Sequence, residues 1–245
     1  MTARVTWSTA RRVLRQLRRD PRSIAMLLLV PVLLLSLLRG VFDGRPEAFD
    51  SVGGPVLALF PFTMMFLLTS VAMLRERTTG TLERLLATPL GRGDLLTGYA
   101  LAFGGVAIVQ SLIASAFALG LLGLDVAGSV VLVVVLAVAS ALLGMAIGLL
   151  LSAFARTEFQ AVQFLPAVVL PQVLLCGLFA PREAMIAPLE WLSDVFPLTY
   201  AVQGMQRVAR SGDVTGDLLL DLAVVTGCAL LALVLGSLTL RRRTA

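Results

Sequence analysis

Arg75-Glu-Arg-Thr-Thr-Gly-Thr-Leu-Glu-Arg-Leu-Leu-Ala-Thr-Pro89 is a charged island between two long apolar segments. No charged residue occurs at 53–74 or at 95–122, whereas 75–94 holds four arginines, two glutamates and one aspartate. Hydrocarbon excludes charge at that density. The island is therefore a loop at a membrane surface, and the segments on either side cross the membrane. Outward from it, uncharged runs of about 20 residues recur, each long enough to span roughly 30 Å of hydrocarbon. They predict six spans, at about 23–38, 53–74, 95–122, 130–153, 159–180 and 218–240. Backbone groups in lipid must satisfy one another, which continuous apolar runs do as helices. The alternation of a barrel strand is absent. The predicted fold is an all-α membrane protein.

Hydrophobic residues make up 58% of the chain and charged ones 14%, more apolar surface than a soluble domain of this length requires. All twenty basic residues are arginine, and there is no lysine, histidine or asparagine. Codon bias in a GC-rich genome is the plain explanation, yet the bias decides chemistry. A phosphate-binding P-loop needs its lysine, so the chain is expected to carry no ATPase site of its own. Without histidine it has no imidazole base or imidazole metal ligand. No catalytic residue and no metal site are predicted. Cys176 and Cys228 fall inside apolar spans and read as small packing residues.

Six spans put both termini on one side, and the distribution of arginine selects it. Fifteen arginines lie in the N-terminal segment, the island, position 156 and the tail, against five on the other side. Both termini and the island are accordingly read as cytoplasmic, in a bacterial cytoplasmic membrane. The net charge of +5 is then a bias toward anionic lipid headgroups, not a footprint for nucleic acid. The expected layout is a cytoplasmic interfacial helix at 1–22, the membrane domain at 23–240 and a basic tail at 241–245. In the first of these, Arg4, Arg11, Arg15 and Arg18 are expected on one arc, with Trp7, Ala10, Val13, Leu14 and Leu17 on most of the other. Such a helix lies in the plane of the interface, and Asp20-Pro21 ends it.

Within the spans, Pro31, Pro61, Pro166 and Pro171 each remove a backbone donor and tend to kink their helices. Gly144-x-x-x-Gly148, with Ser140 before it, is a small-residue ridge for close helix packing. Ionisable residues are missing from the centre of every span, and Arg39 and Asp221 sit near outer ends. An ion-coupled carrier needs buried charge at mid-membrane, and an intramembrane enzyme needs an acid/base or metal constellation. Neither is present in the sequence. Uncharged polar residues remain at Thr63, Thr69, Gln110, Gln163 and Gln172. They either line a path for a largely apolar substrate or make interhelical hydrogen bonds. On the outer side, 181–217 mixes apolar residues with prolines, and Trp191 and Tyr200 suit headgroup level. Two short re-entrant-type helices are expected there, the first ending before Pro197 and the second running over about 199–210. They should dip into or cap the outer leaflet.

Inside the island, Gly80 is placed to cap a short helix with Glu83 near its positive end. Leu82, Leu85 and Leu86 form one apolar edge at i, i+3, i+4 spacing, and Thr88-Pro89 stops it. About two turns are too short to be stable alone, so the helix needs a partner or the bilayer.

The same residues carry a resemblance. Arg-Glu-Arg-x-x-Gly-Thr-Leu-Glu-x-Leu-Leu-x-Thr-Pro after the second span resembles the signature of ABC-2 type permeases, the membrane subunits of ATP-binding-cassette exporters. The fifth span from Pro171 to Gly177 fits, as does Pro188-Leu-Glu-Trp-Leu followed by Phe196-Pro-Leu-Thr-Tyr-Ala201. The resemblance covers essentially the whole chain, and the subgroup it looks like is the daunorubicin-resistance-type drug permease. It implies two permease chains, here a homodimer, with two copies of a separate ATPase subunit docked below. ATP and Mg would be bound by that subunit, and no cofactor by this chain. The docking surface implied is the loop Arg75, Glu76, Arg77, Gly80, Thr81, Leu82, Glu83, Arg84, Leu85, Leu86 and Pro89, together with the interfacial helix through Trp7, Arg11, Leu14, Arg15 and Arg18. One departure is Tyr99, after Gly98, where relatives often carry lysine, which removes a cation from that position. The cargo implied is a small hydrophobic drug or antibiotic-like compound. The alternative cargo is a lipid or lipid-linked glycan.

Overall fold

The structure is a computed structural model, and it describes residues 3–81 and 92–239. Among these no strand occurs, and six helices are long and apolar enough to cross a membrane. A first helix, α1 (Ala3–Arg18), precedes the spans α2 (Pro21–Val41), α3 (Pro46–Thr78), α4 (Arg92–Gly120) and α5 (Val130–Leu151). The fifth span is composite: α6 (Glu158–Phe164), a π-helical turn (Leu165–Val169) and α7 (Leu170–Leu175). A 3₁₀ turn (Arg182–Ala184) and two shorter helices, α8 (Ala187–Val195) and α9 (Pro197–Arg210), lead to the last span, α10 (Gly216–Thr239).

The core is the contact of α3 with α5, the most extensive in the bundle. A Cβ on Gly144 would stand 2.1 Å from the Phe62 carbonyl oxygen, and one on Gly148 would stand 2.5 Å from that of Phe66. Only glycine allows backbones so close. Two hydroxyls bridge the same seam: Ser140 donates to Ala58 O at 2.9 Å and Thr69 to Met145 O at 3.1 Å. Most of α3 between Gly53 and Leu74 is buried on one side or another, including Phe62, Met65 and Phe66.

Four features differ from the sequence expectation. First, α3 begins at Pro46 rather than 53. Pro46 occupies the first helical position, Glu47 sits at the positive end of the dipole and Phe49 is buried. A hydropathy reading stops at these charges, and a helix does not. Second, the fifth span ends at Leu175 rather than 180, followed by Gly177 in a left-handed conformation (φ 85°). Pro171 has no N–H for the carbonyl four residues back, and the chain there takes the wider π turn. Third, α9 is not a surface cap. It buries Leu198, Ala201, Val202, Met205 and Val208 and packs against α3, α5 and α10. Its Arg207 pairs with the buried Asp221 at 3.0 Å and with Asp217 at 2.7 Å. Fourth, Trp7 and Leu14 of α1 are exposed, whereas Ala10 and Val13 are buried. Steps of three and four residues bring Trp7 and Leu14 beside Arg11 and Arg18, away from the Ala10 face.

The α3–α5 seam should be the most sensitive point of the bundle. Gly144→Leu is expected to cost about 3 kcal/mol or more through overpacking, lowering the melting temperature in detergent by several degrees. Gly105→Ala, at a helical glycine with no neighbour within 4 Å of the added carbon, should leave it unchanged or slightly raised.

Candidate functional site

The arginine-rich end of the bundle is organised by the last turn of α3. Two adjacent residues there point in different directions. Arg75 reaches the start of α6, where Nε and Nη2 bond both oxygens of Glu158 at 2.8 and 3.0 Å. Glu76 turns to α1 and accepts from Arg12 Nη1 at 3.1 and 3.2 Å and from Gln16 Nε2 at 3.0 Å. The first pair is exposed and the second is largely buried. The α6 partner is itself fixed. Thr157 caps α6 by accepting from Gln160 N at 3.2 Å, and Gln160 Oε1 accepts from the N–H of Arg156, the residue before the cap, at 2.9 Å.

Arg12 also donates through Nη2 to Tyr99 Oη at 2.6 Å, and its guanidinium lies 5.7 Å from the centre of that ring. Three helices thus meet at one cation. Their approach depends on Gly98: a Cβ there would fall 2.7 Å from Thr9 Cβ and 3.0 Å from Thr6 O. The α1 face that packs on α4 is therefore Thr6, Thr9, Ala10 and Val13, all buried. Burial works against the charge of Arg12, but Tyr99 and Glu76 outweigh it and raise its pKa above the ordinary arginine value. At the corner into α2, Asp20 accepts from Ser23 N at 3.2 Å and Ser23 Oγ at 2.7 Å. These bonds hold its carboxyl below the usual carboxylate range. A cavity of about 590 Å³ opens beside this junction, polar at Gln16, Asp20, Arg75 and Glu76 and apolar at Leu27, Met64, Leu68 and Phe103.

Gly80, at φ 70°, ends α3 in the left-handed conformation, and Thr81 just beyond it is helical. Leu82, Glu83, Arg84, Leu85, Leu86 and Pro89 lie outside the described residues, as does the short helix expected there. In α1, Arg11, Arg15 and Arg18 are exposed alongside Trp7 and Leu14. The five polar span residues do not converge on the cavity. Thr69 is buried against α5, Thr63 bonds Leu59 O within its own helix, and Gln110 bonds Leu27 O across to α2 at 3.2 Å. Gln172 is buried and bonds Val168 O, while Gln163 is exposed. At the opposite end Trp191 is exposed, Phe196 and Pro197 form the corner between α8 and α9, and Tyr200 Oη donates to Asp194 O at 2.9 Å.

A model of the ABC-2 type transporter family matches residues 4–209, taking in α1, the loop root and both opposite-end helices. The chain belongs to the ABC-2 type transporter family. Among its relatives, the probable multidrug ABC transporter permease YbhS of Escherichia coli is 26% identical over 72% of this chain and 47% of its own length. The inner membrane transport permease YhhJ of Escherichia coli is 28% identical over 65% of this chain and 43% of its own. ABC transporter G family member 20 of Dictyostelium discoideum is 26% identical over 69% of this chain and 23% of its own. The chain spans less than half the length of each. Sequence reasoning located Glu76 in this ABC-2 domain but missed Arg12, Gln16 and Gly98 as its setting. The one available signal was Tyr99, the departure beside Gly98: it meets a cation delivered from α1.

Removing one partner of a largely buried pair strands the other. Arg12→Ala and Glu76→Ala are each expected to cost about 3 kcal/mol, with the double variant costing far less than their sum when thermal or denaturant unfolding in detergent is followed. Gly98→Val should detach α1 from α4, seen as new protease cleavage near Thr9 with the spans intact.

Proposed function

We propose that the chain is the membrane permease of an ATP-driven exporter, with ATP and Mg held by a separate ATP-binding subunit present in two copies. A second permease chain, an identical copy, completes the assembly. In this reading the arginine-rich end faces the cytoplasm of a bacterial cell, both termini included, and α1 lies against the headgroups. The cargo is a small hydrophobic, drug-like compound. Support for the cargo comes from relatives named as multidrug permeases and from spans without buried charge at mid-membrane.

The observation that carries the reading is the double grip at the root of the loop. Force applied to the segment after Gly80 reaches α1 through Glu76–Arg12 and α6 through Arg75–Glu158. A subunit that changes shape on binding and hydrolysing ATP, and that pushes on this loop, therefore moves an interfacial helix and a span together. No acid, base or nucleophile is needed in the chain for that task.

The test is reconstitution of the permease with its ATP-binding subunit in liposomes, with ATP-dependent movement of a hydrophobic dye as the readout. Glu83→Arg and Leu86→Asp are expected to lower transport at least about tenfold, a loss of roughly 1.4 kcal/mol of coupling, with insertion and thermal stability unchanged. Normal transport and normal ATPase stimulation in both variants would falsify the docking role of the loop.

A further inference from the structure

The cavity beside the junction has two chemical ends. Leu27 of α2, Met64 and Leu68 of α3 and Phe103 of α4 make its apolar part, and Gln16, Asp20, Ser23, Arg75, Glu76 and Thr79 make its mouth. It opens sideways, since Met26 is 67% exposed and Val162 is 44% exposed at its edges. Its volume of about 590 Å³ falls in the range of pockets that enclose drug-sized ligands.

The charges at the mouth do not balance. Among the described lining residues three are charged: Asp20, Arg75 and Glu76. Glu76 is matched by Arg12 at 3.1 Å. Arg75 is committed to Glu158 through two bonds, while also standing close enough to Asp20 to interact with it. One arginine thus serves two carboxylates. The hydrogen bonds to the Asp20 carboxylate come from Ser23 and from the backbone of Arg22, all neutral donors. Arg19 and Arg22 flank Asp20 in the chain, but they are exposed and do not line the cavity. The result, among the described residues that line it, is an apolar chamber with one negative charge in excess at its entrance.

We infer that this cavity is a binding site for a hydrophobic organic cation, entered sideways from the leaflet on the arginine-rich side, with the positive group at Asp20 and the apolar body between α2, α3 and α4. A cation there restores the charge balance that Arg75 cannot provide to both carboxylates. An anion of the same shape meets Asp20 and Glu76, and among the described lining residues Arg75, already bonded to Glu158, is the one cation. The inference deepens the export reading, on which it rests for taking this ligand to be the cargo.

Tetraphenylphosphonium and tetraphenylborate are the probes, being nearly equal in shape and opposite in charge. Equilibrium binding to the full chain in discs of zwitterionic lipid, corrected for empty discs, should show saturable uptake of the phosphonium and none of the borate. Asp20→Asn keeps a side chain able to cap α2 and removes the charge. It is expected to weaken phosphonium binding about tenfold without changing the melting temperature. Leu68→Trp, which fills the apolar part, should remove binding altogether. Equal binding of the two ions, or wild-type binding by Asp20→Asn, overturns the site. The export reading is tested separately by adding the ATP-binding subunit and ATP. Phosphonium that binds but is never moved counts against export and leaves the site standing. ATP-driven movement of an uncharged dye, with no phosphonium bound, does the reverse.

Discussion

The backbone contact between α3 and α5 is the constraint on which the other contacts depend. Lipid tails are as apolar as leucine, so helices in a bilayer gain little by hiding apolar side chains from one another. What remains is close fit and hydrogen bonding. Gly144 and Gly148 supply the fit against Phe62 and Phe66, and Ser140 and Thr69 supply bonds to backbone carbonyls across the seam. With α5 seated on one side of α3, the other sides of α3 are left for α2, α4, α6 and α9. Any displacement at the seam would shift the last turn of α3, and with it the directions in which Arg75 and Glu76 point.

That last turn combines two kinds of ion pair with different consequences. Arg75–Glu158 is exposed on both sides, and pairs of that kind contribute little net stability. It forms and breaks cheaply. Arg12–Glu76 is largely out of water and is shared with Tyr99 and Gln16, so losing one member leaves the others poorly solvated. The loop root is therefore tied firmly to α1 and loosely to α6. A motion of the loop is expected to carry α1 with it directly and to draw the fifth span through the weaker pair.

Much of the architecture was legible from local pattern. Uncharged length gave the spans, and the Gly144–Gly148 spacing gave the closest helix contact. Phe196-Pro197 gave the corner between the two shorter helices. What could not be read was partnership. Arg12 falls outside the basic arc of Arg4, Arg11, Arg15 and Arg18, and nothing in its neighbourhood names the carboxylate and the tyrosine that it meets. Tyr99 looked like a lost cation, because the arginine that meets it lies 87 positions away. Thr69 and Gln110 were legible as polar residues needing partners, but the choice between a neighbouring carbonyl and a bound molecule belongs to the tertiary fold. The placement of α9 in the bundle was hidden for a similar reason. Its Arg207 reads as a surface charge until Asp221 is found buried beside it.

The length of α3 has a mechanical consequence. Its 33 residues make a rod of about 50 Å at 1.5 Å per residue, longer than the roughly 30 Å of hydrocarbon it crosses. One end carries the pair of residues that hold α1 and α6. Near the other, Asp50 accepts a bond from the backbone of Asp125 at 2.9 Å. The arm from Pro61 to the loop end, about 25 Å long, converts a tilt of about 5° into a travel of about 2 Å. Pro55 and Pro61 interrupt its hydrogen-bond ladder near the Asp50 end. They divide it into a long stiff arm on the arginine-rich side and a short one joined by a compliant elbow. Leverage of that proportion favours small angular strokes at the elbow and large displacements at the loop.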